Sequence, residues 1–367
     1  MSEKPVILFE SYPDFDGGVL AVYNELVKRG YDKKYDLVWA VYSDFNLKTD
    51  YKVVKFFNCN SQEKQNIIKR TKCIIDSNRY IQKFSPNVYR LFLPHGFSLK
   101  KCSNYNRSIG LVDAIVSTSD EMLKLDQKIW PERIKDRFII TGMPNMDILF
   151  HPKNLYDSGL IRELTGSDKK FHKIIGWLPT YREHRCWCSN KNAFEYGLPA
   201  IQNYSEYEKL NDVLKNNNDL LIIEMHHAQA KNYQKLNNCS NIIFTDISIR
   251  SKYKISIADM LGNFDALLTD YSSVYHAYVI LNRPIGLIIP DLPIYAKVHG
   301  FSCNYLEWVK GDCILDNSDL RKWLDNISKN IDSSKAEREF CLNRIHKYKD
   351  DKSSQRVVDY LIKSAKL

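Results

Sequence analysis

No apolar run in this 367-residue chain reaches the ~18 residues a helix needs to cross a bilayer. The start, Met1-Ser2-Glu3-Lys4-Pro5, lacks the basic beginning and long apolar stretch of a secretory signal. It passes directly into a short apolar segment, Val6 to Phe9. Neither a membrane-spanning nor a secreted protein is expected. The nine cysteines are odd in number and scattered, and Cys186-Trp187-Cys188 has the wrong spacing for a zinc knuckle or a redox pair. Reduced thiols in a cytoplasmic protein are the simplest account. Low-complexity tracts are also missing, and a composition of 44% hydrophobic and 26% charged residues is that of a globular chain. The length suits two ordinary domains, each with its own core.

Acidic residues are scarce in one window. From Lys52 to Arg107, twelve Lys or Arg stand against Glu63 and Asp76 alone. That leaves +10 in the window, against +9 for the whole chain. Such a bias suits acidic lipid headgroups, a polyphosphate chain or nucleic acid; a solvated basic face is the plain alternative. Because no nucleic-acid motif accompanies the charge, nucleic acid is not an expected partner.

Short apolar runs alternate with amphipathic stretches. Residues 6–9, 37–42, 73–76, 89–93, 114–117 and 137–141 read as strands, and Leu20 to Arg29 as a helix with Leu20, Tyr23, Leu26 and Val27 on one side. A polar stretch from His151 to His172 is the linker candidate. The rhythm then restarts with 173–178, 220–225, 242–245, 266–269 and 285–289. The expected fold class is α/β, with two doubly wound parallel-sheet domains facing across a cleft. The divisions are 1–155, 172–345 and a C-terminal helix, 346–367, that packs back on the first domain.

In open parallel sheets, ligands gather at the carboxyl ends of strands. The segment 264–274 ends an apolar run in Asp270-Tyr271-Ser272-Ser273 before a second apolar run from Tyr275 to Leu281. It reads as a strand, a tight turn and a helix start, where hydroxyls and free N–H groups can hold a phosphate. A plain helix cap fits the same residues. Other strand ends carry Pro94-His95-Gly96 through Lys100, Gly142-Met143-Pro144-Asn145, Pro179-Thr180-Tyr181-Arg182, and His226-His227. Each has a structural alternative, since a lone His after a strand is more often a satisfied structural residue and Arg182 can pair with Glu183. Adjacent histidines on an extended segment point to opposite faces, and no third ligand stands at a diagnostic spacing, so no metal site is expected. Together, Arg and hydroxyl donors neutralise phosphates, and a histidine titrating near neutrality takes a proton from an attacking hydroxyl. The set describes phosphoryl-group chemistry on a nucleotide-activated donor.

Six segments, in order, resemble the CDP-glycerol:poly(glycerophosphate) glycerophosphotransferase family of teichoic-acid and capsule-polymer primases and polymerases. They are Phe9-Glu10-Ser11-Tyr12; Pro94-His95-Gly96 through Lys100; Thr141 to Asp147; Trp177 to Arg182; Leu268 to Ser273; and Arg283-Pro284-Ile285 with Asp291, Tyr295 and Gly300-Phe301. The resemblance spans roughly residues 7–327. It implies a glycosyltransferase-B-like pair of Rossmann-like domains, the nucleotide held mainly by the second. It also implies transfer of glycerol phosphate, or a related alditol phosphate, from a CDP-activated donor to an acceptor hydroxyl, with release of CMP and no cofactor. By the family pattern His95 is the base toward the acceptor hydroxyl, and His226 binds or protonates the donor diphosphate. Thr180, Arg182, Asp270, Ser272 and Ser273 hold the donor, while Glu10, Gly96, Lys100, Asn145 and His227 are the candidates for acceptor or cleft residues. Expected partners are CDP-glycerol or CDP-ribitol, a lipid-linked or polymeric acceptor, and an anionic membrane surface met by region 52–107. The location implied is cytoplasmic, peripheral on the inner face of the membrane. The chain departs from the pattern at Phe97, Asn145, Glu224 (where a lysine is usual) and His227 (where a proline is usual). CDP-ribitol therefore stands beside CDP-glycerol. An ordinary nucleotide-sugar glycosyltransferase is the main alternative, although no Glu-x7-Glu segment lies near Asp270. A non-catalytic polyanion binder is a further one.

Overall fold

Contiguous apolar runs become the inner parallel strands of each sheet, buried on both faces. The computed structural model describes residues 3–12, 14–41, 51–57, 60–77, 85–94, 99–100, 112–180, 197–224, 236 and 238–367. They fall into two units: Met1–Ser98, Cys102–Ile148 and Ile345–Leu367 in unit 1, and Leu99–Lys101 with Leu149–Arg344 in unit 2.

Unit 1 carries β1 (Val6–Glu10), β2 (Asp36–Val41), β3 (Lys52–Lys55), β4 (Thr71–Asp76), β5 (Tyr89–Phe92), β6 (Ala114–Ser117) and β7 (Phe138–Ile140). Among the described residues they form one parallel sheet in the order β3-β2-β1-β4-β5-β6-β7. Chain direction across the sheet reverses between β1 and β4, which opens a crevice at their carboxyl ends. Glu10 and Asp76 are register partners at that point, and both are fully buried.

Unit 2 carries β8 (Ile174–Trp177), β9 (Leu220–Glu224), β10 (Ile242–Thr245), β11 (Ala266–Thr269), β12 (Ile285–Ile288) and β13 (Asp312–Ile314). Their order is β10-β9-β8-β11-β12-β13, again all parallel, with the reversal between β8 and β11. At the middle of β8, Gly176 lets the Phe264 ring lie against the strand; a Cβ there would fall 2.1 Å from that ring. The contact fixes the residue that leads into β11.

Several expectations need correcting. Strands β3 and β13 lie at sheet edges and are short and charged, so no apolar run announces them. The helix Gly17–Lys28 buries Val19, Val22 and Leu26, while Val27 is exposed. Tyr23 instead meets Phe9 edge-on at 5.2 Å. The linker candidate 151–172 has structure of its own. It contains the helix Leu160–Thr165 and buries Leu155, Leu160 and Ile161 within unit 2. At the other end of the chain, the helix Ser353–Ser364 docks in unit 1. The N–H groups of Ser353 and Ser354 donate to the Asp147 carboxylate at 2.9 and 2.7 Å, and Arg29 pairs with Asp359 at 2.6 Å.

The basic window is less of a surface than its composition implies. Arg90 is fully buried and donates to Asp76 from Nε at 3.2 Å and Nη2 at 2.7 Å. Lys52 and Arg70 both pair with Asp36, at 2.5 and 2.6 Å. Lys55, Lys69 and Lys72 are exposed. A buried pair is costly to break from one side, because the remaining charge stays desolvated. Arg90→Met is therefore expected to lower unfolding stability by about 3–5 kcal/mol. Urea denaturation followed by circular dichroism reads this, and a loss below about 1 kcal/mol would contradict a paired Asp76.

Candidate functional site

The carboxyl ends of β8 and β11, at the reversal in unit 2, are joined beyond the sheet ladder. Leu178 N–H donates to the Leu268 carbonyl at 2.9 Å, and the Thr269 hydroxyl to the Leu178 carbonyl at 3.1 Å. Two residues on, the Thr180 N–H donates to the Asp270 carboxylate at 2.9 and 3.1 Å, and the Thr180 hydroxyl donates to the same group. Asp270 is buried. Its carboxylate thus holds the Thr180 segment rather than facing a ligand as a bare anion.

The next residue is held from its other side. The Tyr271 hydroxyl donates to Asp291 at 2.7 Å, and its ring stacks on Tyr295 with centroids 3.8 Å apart and planes 22° apart. Phe301 packs on Tyr271, Tyr295 and Tyr305. Tyr305 donates to the Asp270 carbonyl at 2.8 Å. Burial pushes the Tyr305 phenol well above its ordinary pKa, so it remains a donor at neutral pH. Arg283 clamps the Gly262 and Phe264 carbonyls at 2.8 and 2.7 Å. The motif residues Asp291, Tyr295 and Phe301 therefore hold Tyr271, the residue before the two serines, while Arg283 holds the chain that leads into β11. Tyr305, which completes this support, carried no sequence signal.

Ser272 and Ser273 are half-buried at the start of the helix Val274–Tyr278, which passes into a 3₁₀ turn at Val279–Leu281. Ser272 Oγ accepts a long bond from Val274 N–H at 3.3 Å. Ser273 makes no side-chain capping bond. Capping thus engages one hydroxyl weakly and the other not at all. The helix is only one turn long, so the site depends on hydroxyls and turn N–H groups more than on a helix dipole.

The other expected site residues are distributed as follows. His95, Gly96, Arg182, His226 and His227 lie outside the described residues. Glu10 is buried at the carboxyl end of β1. Asn145 sits in the turn after β7, and its backbone nitrogen is 3.6 Å from where a Cβ on Gly18 would be, which brings it beside the first turn of the helix Gly17–Lys28. Lys100 belongs to unit 2, with Nζ 5.6 Å from the centroid of the Tyr295 ring. Glu224, expected to remove positive charge near the donor, is held by Arg250 in a two-point pair at 2.7 and 2.8 Å. Its charge is balanced at the end of β9. Among the described residues no group of three or more His, Cys, Asp or Glu clusters as a metal site would.

The family model described as CDP-Glycerol:Poly(glycerophosphate) glycerophosphotransferase matches residues 1–363. The chain belongs to this family. It is 26% identical over 363 residues to the teichoic acid glycerol-phosphate primase of Bacillus subtilis, covering 98% of this chain and 83% of that protein. It is 24% identical to the teichoic acid ribitol-phosphate polymerase TarL of Staphylococcus aureus, covering 97% of this chain but 61% of TarL. A structure of the wall teichoic acid polymerase TagF superposes with a TM-score of 0.77 at 21% identity, over 99% of this chain and 89% of that one. A putative UDP-N-acetylglucosamine 2-epimerase from Listeria monocytogenes gives 0.54 at 12% identity, over 98% and 96%. Both share the pair of Rossmann-like sheets, the glycosyltransferase-B-like fold expected from the family. Within this glycerophosphotransferase, the Thr180–Asp270 clamp and the Ser272-Ser273 turn stand at the switch point of the second sheet.

Proposed function

We propose that this chain transfers glycerol phosphate, or a related alditol phosphate, from a CDP-activated donor to an acceptor hydroxyl in the synthesis of a teichoic-acid or capsule-like polymer. The observation that carries this reading is the clamp of Thr180 by Asp270 beside two half-buried serines, in a chain matched by the family along nearly its whole length. The acceptor oxygen attacks the phosphorus that bears the alditol. The bond from that phosphorus to the oxygen bridging to CMP breaks, CMP leaves with that oxygen, and a phosphodiester forms. His95 takes the hydroxyl proton, and His226 meets the charge on the departing phosphate. Thr180, Arg182, Ser272 and Ser273 hold the diphosphate as charge shifts toward CMP, with Asp270 setting their frame. Residues 1–155 bear the acceptor and 172–345 the donor; Glu10, Gly96, Asn145 and His227 stand toward the acceptor.

The test is CMP release from CDP-glycerol and CDP-ribitol, against UDP-sugars, with a lipid-linked acceptor. The reading expects turnover with a CDP-alditol only, and no turnover with either CDP-alditol would overturn it.

The acceptor proposed is lipid-linked or polymeric, and the contact with the bilayer peripheral, on the cytoplasmic face. No helix of the described residues is long and apolar enough to cross a membrane. The exposed Lys55, Lys69 and Lys72 of the basic window are the docking candidates, each worth about 1 kcal/mol against an acidic leaflet. Vesicle sedimentation at low salt should show binding to anionic and not neutral liposomes; equal binding to both would remove the proposal.

A further inference from the structure

Leu99 and Lys100 follow His95 in sequence by four and five residues, yet they belong to unit 2 while the flanking stretches Met1–Ser98 and Cys102–Ile148 belong to unit 1. The two residues are fastened there. Lys100 forms an isolated antiparallel bridge with Phe301, the Ser302 N–H donates to the Leu99 carbonyl at 2.8 Å, and the Leu99 side chain is buried. Phe301 is one of the rings that hold Tyr271. The pairing therefore sets the Lys100 side chain against the aromatic support of the Ser272-Ser273 turn. Its ammonium lies 5.6 Å from the Tyr295 centroid, and Tyr295 stacks at 3.8 Å on Tyr271, the residue that precedes Ser272.

We propose that Lys100 is a donor-side residue whose ammonium meets the diphosphate of the bound nucleotide at the Ser272-Ser273 turn. This rests on the donor reading above and gives a donor-side role to a residue that the sequence offered as an acceptor or cleft residue. The half-buried stem lies along a ring whose face attracts a cation. The attraction holds the ammonium beside the ring that supports Tyr271, and its three N–H donors let it serve phosphate oxygens while keeping protein contacts. A flexible point charge suits a diphosphate, whose oxygens change position as the P–O bond breaks.

The experiment compares the wild type, Lys100→Gln and Lys100→Arg. Calorimetric titration with CDP-glycerol, CDP-ribitol and UDP-N-acetylglucosamine is set beside KM for donor and for acceptor. Lys100→Gln is expected to weaken binding of the preferred nucleotide at least tenfold and to flatten its salt dependence. Acceptor KM and melting temperature should stay within error, and Lys100→Arg should retain binding within about threefold of wild type. Unchanged nucleotide binding in Lys100→Gln, or a rise confined to acceptor KM, overturns the proposal. A wild type that binds the UDP-sugar in place of both CDP-alditols defeats the proposed reaction, and Lys100 is then judged on that nucleotide by the same tenfold criterion. Binding of none of the three defeats both.

Discussion

Replacing Asp270 by alanine should lower the rate of CMP release by on the order of 10²-fold, with a smaller effect on the fold. The carboxylate accepts both the N–H and the hydroxyl of Thr180 from a buried position. Without it, Thr180 loses its anchor at the carboxyl end of β11. A group misplaced by about 1 Å can cost such a factor even when it never touches the reacting atoms. The Thr180 N–H left without this acceptor adds about 1–3 kcal/mol of destabilisation. Asp270→Asn retains one oxygen that can accept from Thr180 and should fall between wild type and Asp270→Ala. Steady-state CMP release separates these cases. An Asp270→Ala enzyme within threefold of wild type would show that the clamp does not position the donor site.

His95→Ala and His226→Ala should each reduce turnover by roughly 10²–10⁴-fold while leaving the melting temperature unchanged. A positioned base contributes that much when a hydroxyl must lose its proton as it attacks phosphorus. This expectation comes from the family pattern, since both residues lie outside the described structure. The two histidines should also divide by substrate. Loss of His226 should raise KM for the CDP-alditol, and loss of His95 should lower kcat with little change in donor KM. A protein that merely binds polyanions would be indifferent to both substitutions, so retained function in both would restore that alternative.

Much of the architecture was legible because parallel strands covered on both faces must be uninterrupted apolar runs. Val6–Glu10 and Leu220–Glu224 are examples, each announced by its composition and almost wholly buried. The edge strands Lys52–Lys55 and Asp312–Ile314 were not announced, because an edge is exposed on one side and carries charge. The helix Gly17–Lys28 was found but rotated. Its N-cap is Asp16, and the stripe that faces inward is Val19, Val22 and Leu26.

The site was legible as positions and less so as roles. Sequence order put Thr180, Asp270 and the serines at neighbouring strand ends, and unit 2 brings Thr180 and Asp270 into contact across the β8–β11 reversal. What a linear reading could not supply was pairing. Asp270 counts as a bare carboxylate until Thr180 is seen on it. Arg90 counts as surface charge until Asp76 is found beside it, and Glu224 as lost positive charge until Arg250 is found. Lys100 shows the same limit. Five residues from His95 in sequence, it belongs by its contacts to the aromatic support of the donor turn.

Transfer of an alditol phosphate leaves its clearest mark on the product. The protein is incubated with CDP-glycerol or CDP-ribitol and a lipid-linked acceptor, and the acceptor is read by mass spectrometry and phosphorus NMR. Alditol-phosphate transfer predicts a mass gain in whole alditol-phosphate units, a new phosphodiester signal, and one CMP released per unit added. A glycosidic product formed from a UDP-sugar, with no phosphodiester and no CMP, would contradict it.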